Sequence, residues 1–105
     1  MFAPGLLSGK RILVTGGGTG LGRSMAGRFA ELGADLVLLG RRLDVLQAAA
    51  AEIGAATDVE VTTLSVDVRD PDAVDAAIGA CFEQASIDVL VNNAAANFIA
   101  RTETL

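Results

Sequence analysis

The amino-acid sequence predicts an α/β fold, a doubly wound parallel sheet with strand order 3-2-1-4, and three observations predict it. Short aliphatic runs alternate with segments of helical spacing. The runs are continuous rather than alternating in polarity, as expected of parallel strands covered on both faces. A cluster of glycines follows the first run directly. The 105 residues suffice for one domain, since domains run to roughly 100–200 residues.

The strands come first. RILV (11–14), DLVLL (35–39) and DVLV (88–91) are the continuous runs, and DVEVTTLSV (58–66), β-branched and more alternating, reads as a strand nearer an edge. Between them, Leu21, Met25, Phe29 and Leu32 recur at helical spacing, with Gly33 as a C-terminal stop. Leu43, Leu46, Ala50 and Ile53 repeat the pattern, with Gly54 as the stop. Asp70 reads as an N-cap with Pro71 at the first helical position, and Val74, Ile78, Cys81 and Ala85 form the apolar stripe behind it. Strands alternating with helices imply right-handed parallel crossovers. In the order 3-2-1-4 the chain winds outward from strand 1 and then crosses back, which places a switch point between strands 1 and 4 where ligands bind. The glycine loop leaves strand 1 there, and NNAAANF (92–98) leaves strand 4 beside it.

Composition excludes several classes of partner. Apolar residues make up 51 % and charged residues 20 %, which is globular, and the net charge of −5 argues against a nucleic-acid surface. No apolar stretch approaches the roughly 20 residues that span a bilayer, so no membrane partner is expected. The opening MFAPGLLSGK lacks the basic region of a secretory signal, and the expected address is cytoplasmic. Cys81 is the sole cysteine and histidine is absent, so neither an internal disulfide nor a structural metal site is expected.

The stretch VTGGGTGLG (14–22) carries the functional signal. Glycine permits positive φ and close approach of the backbone to a ligand, and the N–H groups opening the next helix favour a pyrophosphate. Glycines can also serve only a tight turn, but the strand before and helix after supply the context that dinucleotide binding requires.

TGGGTGLG resembles the Thr-Gly-x-x-x-Gly-x-Gly fingerprint of the short-chain dehydrogenases/reductases, and NNAA at 92–95 resembles their Asn-Asn-Ala-Gly motif, with Ala95 where glycine is usual. The continuation ANF is similar to the branch of 2,4-dienoyl-CoA and trans-2-enoyl-CoA reductases. The resemblance covers the whole chain and implies the N-terminal half of a Rossmann fold, an incomplete NAD(P)-binding domain over residues 1–105. It also implies that Thr15, Gly16, Gly18, Thr19, Gly20, Leu21 and Gly22 border the cofactor, with Asn93, Ala94 and Ala95 across the crevice. For Asn93 a turn-forming role is an equal reading. Asp67, with Val68 beside it, matches the residue that accepts a hydrogen bond from the adenine amino group, although a turn or helix cap would also explain an aspartate there. Asn92 matches the asparagine that ties strand 4 to its neighbours.

Family members that prefer NAD usually carry Asp at the end of strand 2. Here Gly40 stands there, followed by Arg41 and Arg42. A guanidinium binds a 2′-phosphate through charge-assisted bonds, so NADP (NADPH) is the expected cofactor; a solvated helix start is the other reading of the pair. Arg23 is a weaker second candidate for the phosphate. Phe98 reads as a buried anchor, and Cys81 as core.

The family's proton donor, usually a Tyr-x-x-x-Lys pair with Ser and Asn, comes after the fourth strand, beyond Leu105. Lys10 is the only lysine and falls at the start of strand 1, so no catalytic residue is assigned and the chain alone is expected to be inactive. The complete enzyme is expected to be a homo-oligomer acting on an acyl-CoA-type substrate, with a ketone or 3-oxoacyl reductase as the second reading and a non-catalytic dinucleotide-binding module as the third. The chain alone should also be marginal, or associate through the edge IDVLVNNA.

Overall fold

A computed structural model describes residues 5–18, 20–67 and 69–93. Strands β1 (Arg11–Thr15), β2 (Asp35–Gly40), β3 (Val61–Ser65) and β4 (Val89–Asn92) alternate with helices α1 (Gly20–Glu31), α2 (Leu43–Thr57) and α3 (Pro71–Gln84). All neighbouring strands pair in parallel, in the order β3-β2-β1-β4. This is the expected topology, with the more polar β3 at one edge.

The continuous apolar runs are the central strands, where residues of both parities must be buried. Successive side chains point to opposite faces. Ile12, Val14, Leu36 and Leu38 therefore meet Ala26 and Ala30 of α1 and Leu46, Ala49 and Ile53 of α2. On the other face Leu13, Val37 and Leu39 pack with Cys81 of α3, and Ile78, Ile87 and Leu90 lie against them. Burying each such aliphatic side chain is worth about 1.5–3 kcal/mol. On this second face a groove of about 310 Å³, lined by Ile78, Phe82, Ile87, Asp88 and Leu90, stays open.

Details of α1 and α2 differ from the expected pattern. In α1 the buried residues are Gly22, Ala26 and Ala30, one position round from the expected stripe, and Leu21 is 67 % exposed. The helix lies so close to the sheet that only small residues fit beneath it, while Met25 and Phe29 sit half-buried at its flank. In α2, Leu43 is exposed and Ala49 rather than Ala50 is buried. That helix also runs past Gly54 to Thr57, because one helical glycine costs only about 1 kcal/mol and the following alanines restore the propensity. It stops at Asp58, which takes the left-handed conformation at φ 68° and donates its N–H to the Gly54 carbonyl.

The start of α3 is as expected: the Asp70 carboxylate accepts from the Ala73 N–H at 3.2 Å, and Pro71 follows. Its end is not, since Ala85 is an exposed, extended cap. The Arg11 guanidinium donates to the Cys81 and Ala85 carbonyls at 3.1 and 2.9 Å, a positive charge at the negative end of the helix dipole. Burial raises the pKa of the Cys81 thiol, as suits a core residue.

Candidate functional site

The carboxyl ends of β1 and β2 and the amino ends of α1 and α2 converge. Between them lies a cleft of about 230 Å³ lined by Gly16, Gly18, Gly40, Arg41, Arg42, Val45 and Leu46. Of the residues the sequence singled out, Gly16, Gly18, Arg41 and Arg42 are thereby brought together.

The turn is built from glycine for specific reasons. Gly16 has φ 67° and Gly20 φ 56°, both in the region that side chains disfavour. A Cβ at Gly18 would lie 2.8 Å from Val45 Cγ1, inside the cleft wall. At Gly22 a Cβ would collide with the Gly16 carbonyl oxygen and stand 2.8 Å from Asn93 Nδ2. Gly22 thus lets α1 start directly behind the turn. Leu21, by contrast, projects outward.

Thr15 is fully buried, so its side chain acts on the architecture rather than on a ligand. Its hydroxyl accepts from the Asn93 N–H at 2.8 Å and donates to Asn92 Oδ1 at 3.1 Å, opposite which Thr15 stands in the β1–β4 register. This is the tie between the fourth strand and its neighbour that the resemblance implies for Asn92, and it brings Asn93 against the glycine turn.

The rim beyond β2 and β3 is charged. Arg41 and Arg42 are exposed, and Arg42 Nη2 lies 3.6 Å from Asp44 Oδ2. Gly40 pairs with Ser65, the Val66 N–H donates to the Gly40 carbonyl at 2.7 Å, and the Ser65 hydroxyl donates to the Arg41 carbonyl at 3.1 Å. Arg41 and Asp67 consequently leave the sheet side by side. Hydrogen bonds from Arg69 hold the Asp67 carboxyl well below the usual range, at about 2, with the positive charge of Arg41 a smaller cause. Arg23 pairs with Glu52, at 3.3 Å between α1 and α2.

Thr19, Val68, Ala94, Ala95 and Phe98 lie outside the described residues. Sequence reasoning missed Val45 and Leu46, the apolar floor and wall of the cleft. The only available signal was their place in the first turn of the helix after Arg42. It also missed Arg69, whose spacing of two from Asp67 is that of a local side-chain turn.

A parallel sheet whose strand order reverses beside β1, with a glycine turn at that reversal, defines a Rossmann-like α/β protein. A family model described as short chain dehydrogenase matches residues 10–105, and the chain belongs to that family. An uncharacterized oxidoreductase of Caenorhabditis elegans is 48 % identical over 104 residues, covering 97 % of this chain and 33 % of the relative. A probable 2,4-dienoyl-CoA reductase of the same organism is 42 % identical over 108 residues, covering 96 % of this chain and 33 % of that protein. Among solved structures, L-sorbose reductase from Gluconobacter frateurii, complexed with NADPH and L-sorbose, superposes with a TM-score of 0.81 at 36 % identity, covering 89 % of this chain and 36 % of that one. The chain spans about a third of the length of these relatives.

Proposed function

We propose that the chain is the NADP-binding part of a short-chain reductase acting on an unsaturated acyl-CoA of the 2,4-dienoyl or 2-enoyl type. The observation that carries the cofactor reading is the cleft itself. It joins a glycine turn at a helix start to a rim where Gly40, not a carboxylate, is followed by two exposed arginines. An acidic side chain at that place would repel a 2′-phosphate, whereas guanidinium groups bind it with charge-assisted bonds.

The residues divide the task. The turn from Gly16 to Gly18 and the opening of α1 receive the pyrophosphate through backbone N–H groups. Val45 and Leu46 line the adenosine side with apolar surface. Asp67 accepts from the adenine amino group, and Arg41 and Arg42 face the 2′-phosphate. NADPH, when bound, supplies the hydride. Orientation of the nicotinamide falls to the β1–β4 side, where Thr15 holds Asn93 in place.

The C. elegans relative named as a probable 2,4-dienoyl-CoA reductase supports the acyl-CoA reading. The structural likeness to a sorbose reductase, whose substrate is a keto sugar, favours a ketone reductase as the second reading. Titrating the complete protein with NADPH and NADH tests the cofactor: tighter binding of NADPH is expected, and equal binding overturns the assignment of Arg41. Turnover assays with 2,4-dienoyl-CoA, 2-enoyl-CoA and a ketose separate the two substrate readings. The 105-residue chain alone is expected to oxidise no NADPH with any of them, and measurable turnover refutes that expectation.

A further inference from the structure

Two exposed cations and one carboxylate meet where β2 and β3 end, and their pairing is unequal. Asp67 Oδ1 accepts from the Arg69 backbone N–H at 2.9 Å and from Arg69 Nε at 3.1 Å, while Oδ2 accepts from Arg69 Nη2 at 3.0 Å. Both oxygens are taken by one residue. Arg41 lies near enough for its charge to act on the same carboxylate, yet its guanidinium makes no hydrogen bond or ion pair among the described residues. The Arg41 backbone, meanwhile, is anchored by Ser65.

We propose that Arg69 is a specificity-determining residue: by occupying both oxygens of Asp67 it keeps that carboxylate off Arg41 and leaves the Arg41 guanidinium for the 2′-phosphate of the cofactor. The inference rests on the NADP reading of the cleft. Its physical basis is competition. A carboxylate beside a phosphate ligand weakens binding twice, by capturing the cation that should hold the phosphate and by repelling the phosphate directly. An aspartate at this place would therefore oppose NADP, even with Gly40 at the end of β2, unless a second cation neutralised it. Arg69 is suited to that task, because its planar fork matches the two oxygens at once, which an ammonium group cannot do. Asp67 then retains lone pairs for the adenine amino group, a contact that NADH and NADPH share.

The test follows from that sharing. Dissociation constants for NADPH and NADH are measured on the complete protein and on the variants Arg69→Gln, Asp67→Asn and the double variant. In Arg69→Gln the freed Asp67 carboxylate engages Arg41, and the preference for NADPH falls by about tenfold, the scale of one charged hydrogen bond. Asp67→Asn weakens both cofactors alike and leaves their ratio at the starting value or above it. The double variant restores the ratio while binding both cofactors less tightly, a pattern that a purely structural role for Arg69 does not produce. An unchanged ratio in Arg69→Gln, or a double variant that stays unselective, overturns the inference with the NADP reading intact. A starting protein without preference for NADPH overturns the NADP reading, and the inference with it. Arg69 is 71 % exposed, so loss of folding is not expected to obscure the result, and thermal unfolding of each variant checks this.

Discussion

Replacing Gly22 by alanine tests the geometry of the site most directly, because two opposing effects can be weighed. Inside a helix, alanine is favoured over glycine by about 1 kcal/mol. Against this, the new Cβ would collide with the Gly16 carbonyl oxygen and stand 2.8 Å from Asn93 Nδ2. Gly16 cannot yield: its N–H is bonded to the Leu39 carbonyl at 2.7 Å and its φ is already 67°. The helix must move instead, lifting Ala26 and Ala30, at 0 and 2 % exposure, off the sheet. Overpacking against a backbone atom belongs at the upper end of the usual range, about 3 kcal/mol, which leaves a net loss of about 2 kcal/mol. Gly79→Ala is the control, since a Cβ there meets nothing within 4 Å in the exposed middle of α3. It should stabilise by about 0.5–1 kcal/mol. Urea denaturation of both variants in the complete protein measures the difference, and NADPH titration shows whether the displaced helix start has lost the pyrophosphate. Gly22→Ala equal to or more stable than the starting protein would refute the close approach of α1 to the turn.

Further outcomes follow from single contacts. Thr15→Val keeps the shape but leaves the half-buried Asn93 N–H without its 2.8 Å acceptor, and should cost about 1 kcal/mol in denaturant titrations. Asp70→Ala removes the cap on the Ala73 N–H and should lower stability by about 0.5–2 kcal/mol by the same measurement. Asp67 predicts a pH dependence. Its carboxyl lies at about 2 when folded and at 3.8 ordinarily, so its contribution is present above the unfolded value and disappears as pH falls from about 4 through about 2. Carboxyl NMR titration should report the lowered value, and Arg69→Gln should return it toward the ordinary one; a carboxyl that titrates normally with Arg69 in place would contradict the fork.

Topology was legible because its signals are redundant. Both central strands carry unbroken apolar runs, Ile12–Val14 and Leu36–Leu39, and a proline behind an aspartate marks one helix start without tertiary help. Helix faces were less so. The pattern of Leu21, Met25, Phe29 and Leu32 is a sound amphipathic stripe, yet the face that packs is the small one. Large side chains maximise burial only where a helix can stand off from its sheet, and the glycine turn forbids that standoff at the start of α1. The same constraint makes the site legible: glycines placed for close approach also displace the apolar stripe. Gly54 misled for the opposite reason, since a Cβ there would meet only Val59 O at 3.9 Å and nothing local requires the helix to end.

The charged residues show what spacing cannot convey. An acidic chain of net charge −5 can still present a positive cleft, because what matters is which cations remain after ion pairing. Arg23 stands nearest the glycine turn in sequence, but Glu52, 29 residues away, engages it across the two helices. Arg11 is occupied by the end of α3, more than 70 positions further along the chain. Arg42 has Asp44 within 3.6 Å. The carboxylate that could have claimed Arg41 is instead held by a residue two positions beyond it. The partners of Arg23 and Arg11 are set by the sheet register and the helix packing, so the availability of these two arginines for a phosphate is a tertiary property. A charge reversal at Glu52 should accordingly change the environment of Arg23 without altering the preference between NADPH and NADH, whereas one at Arg41 should abolish it.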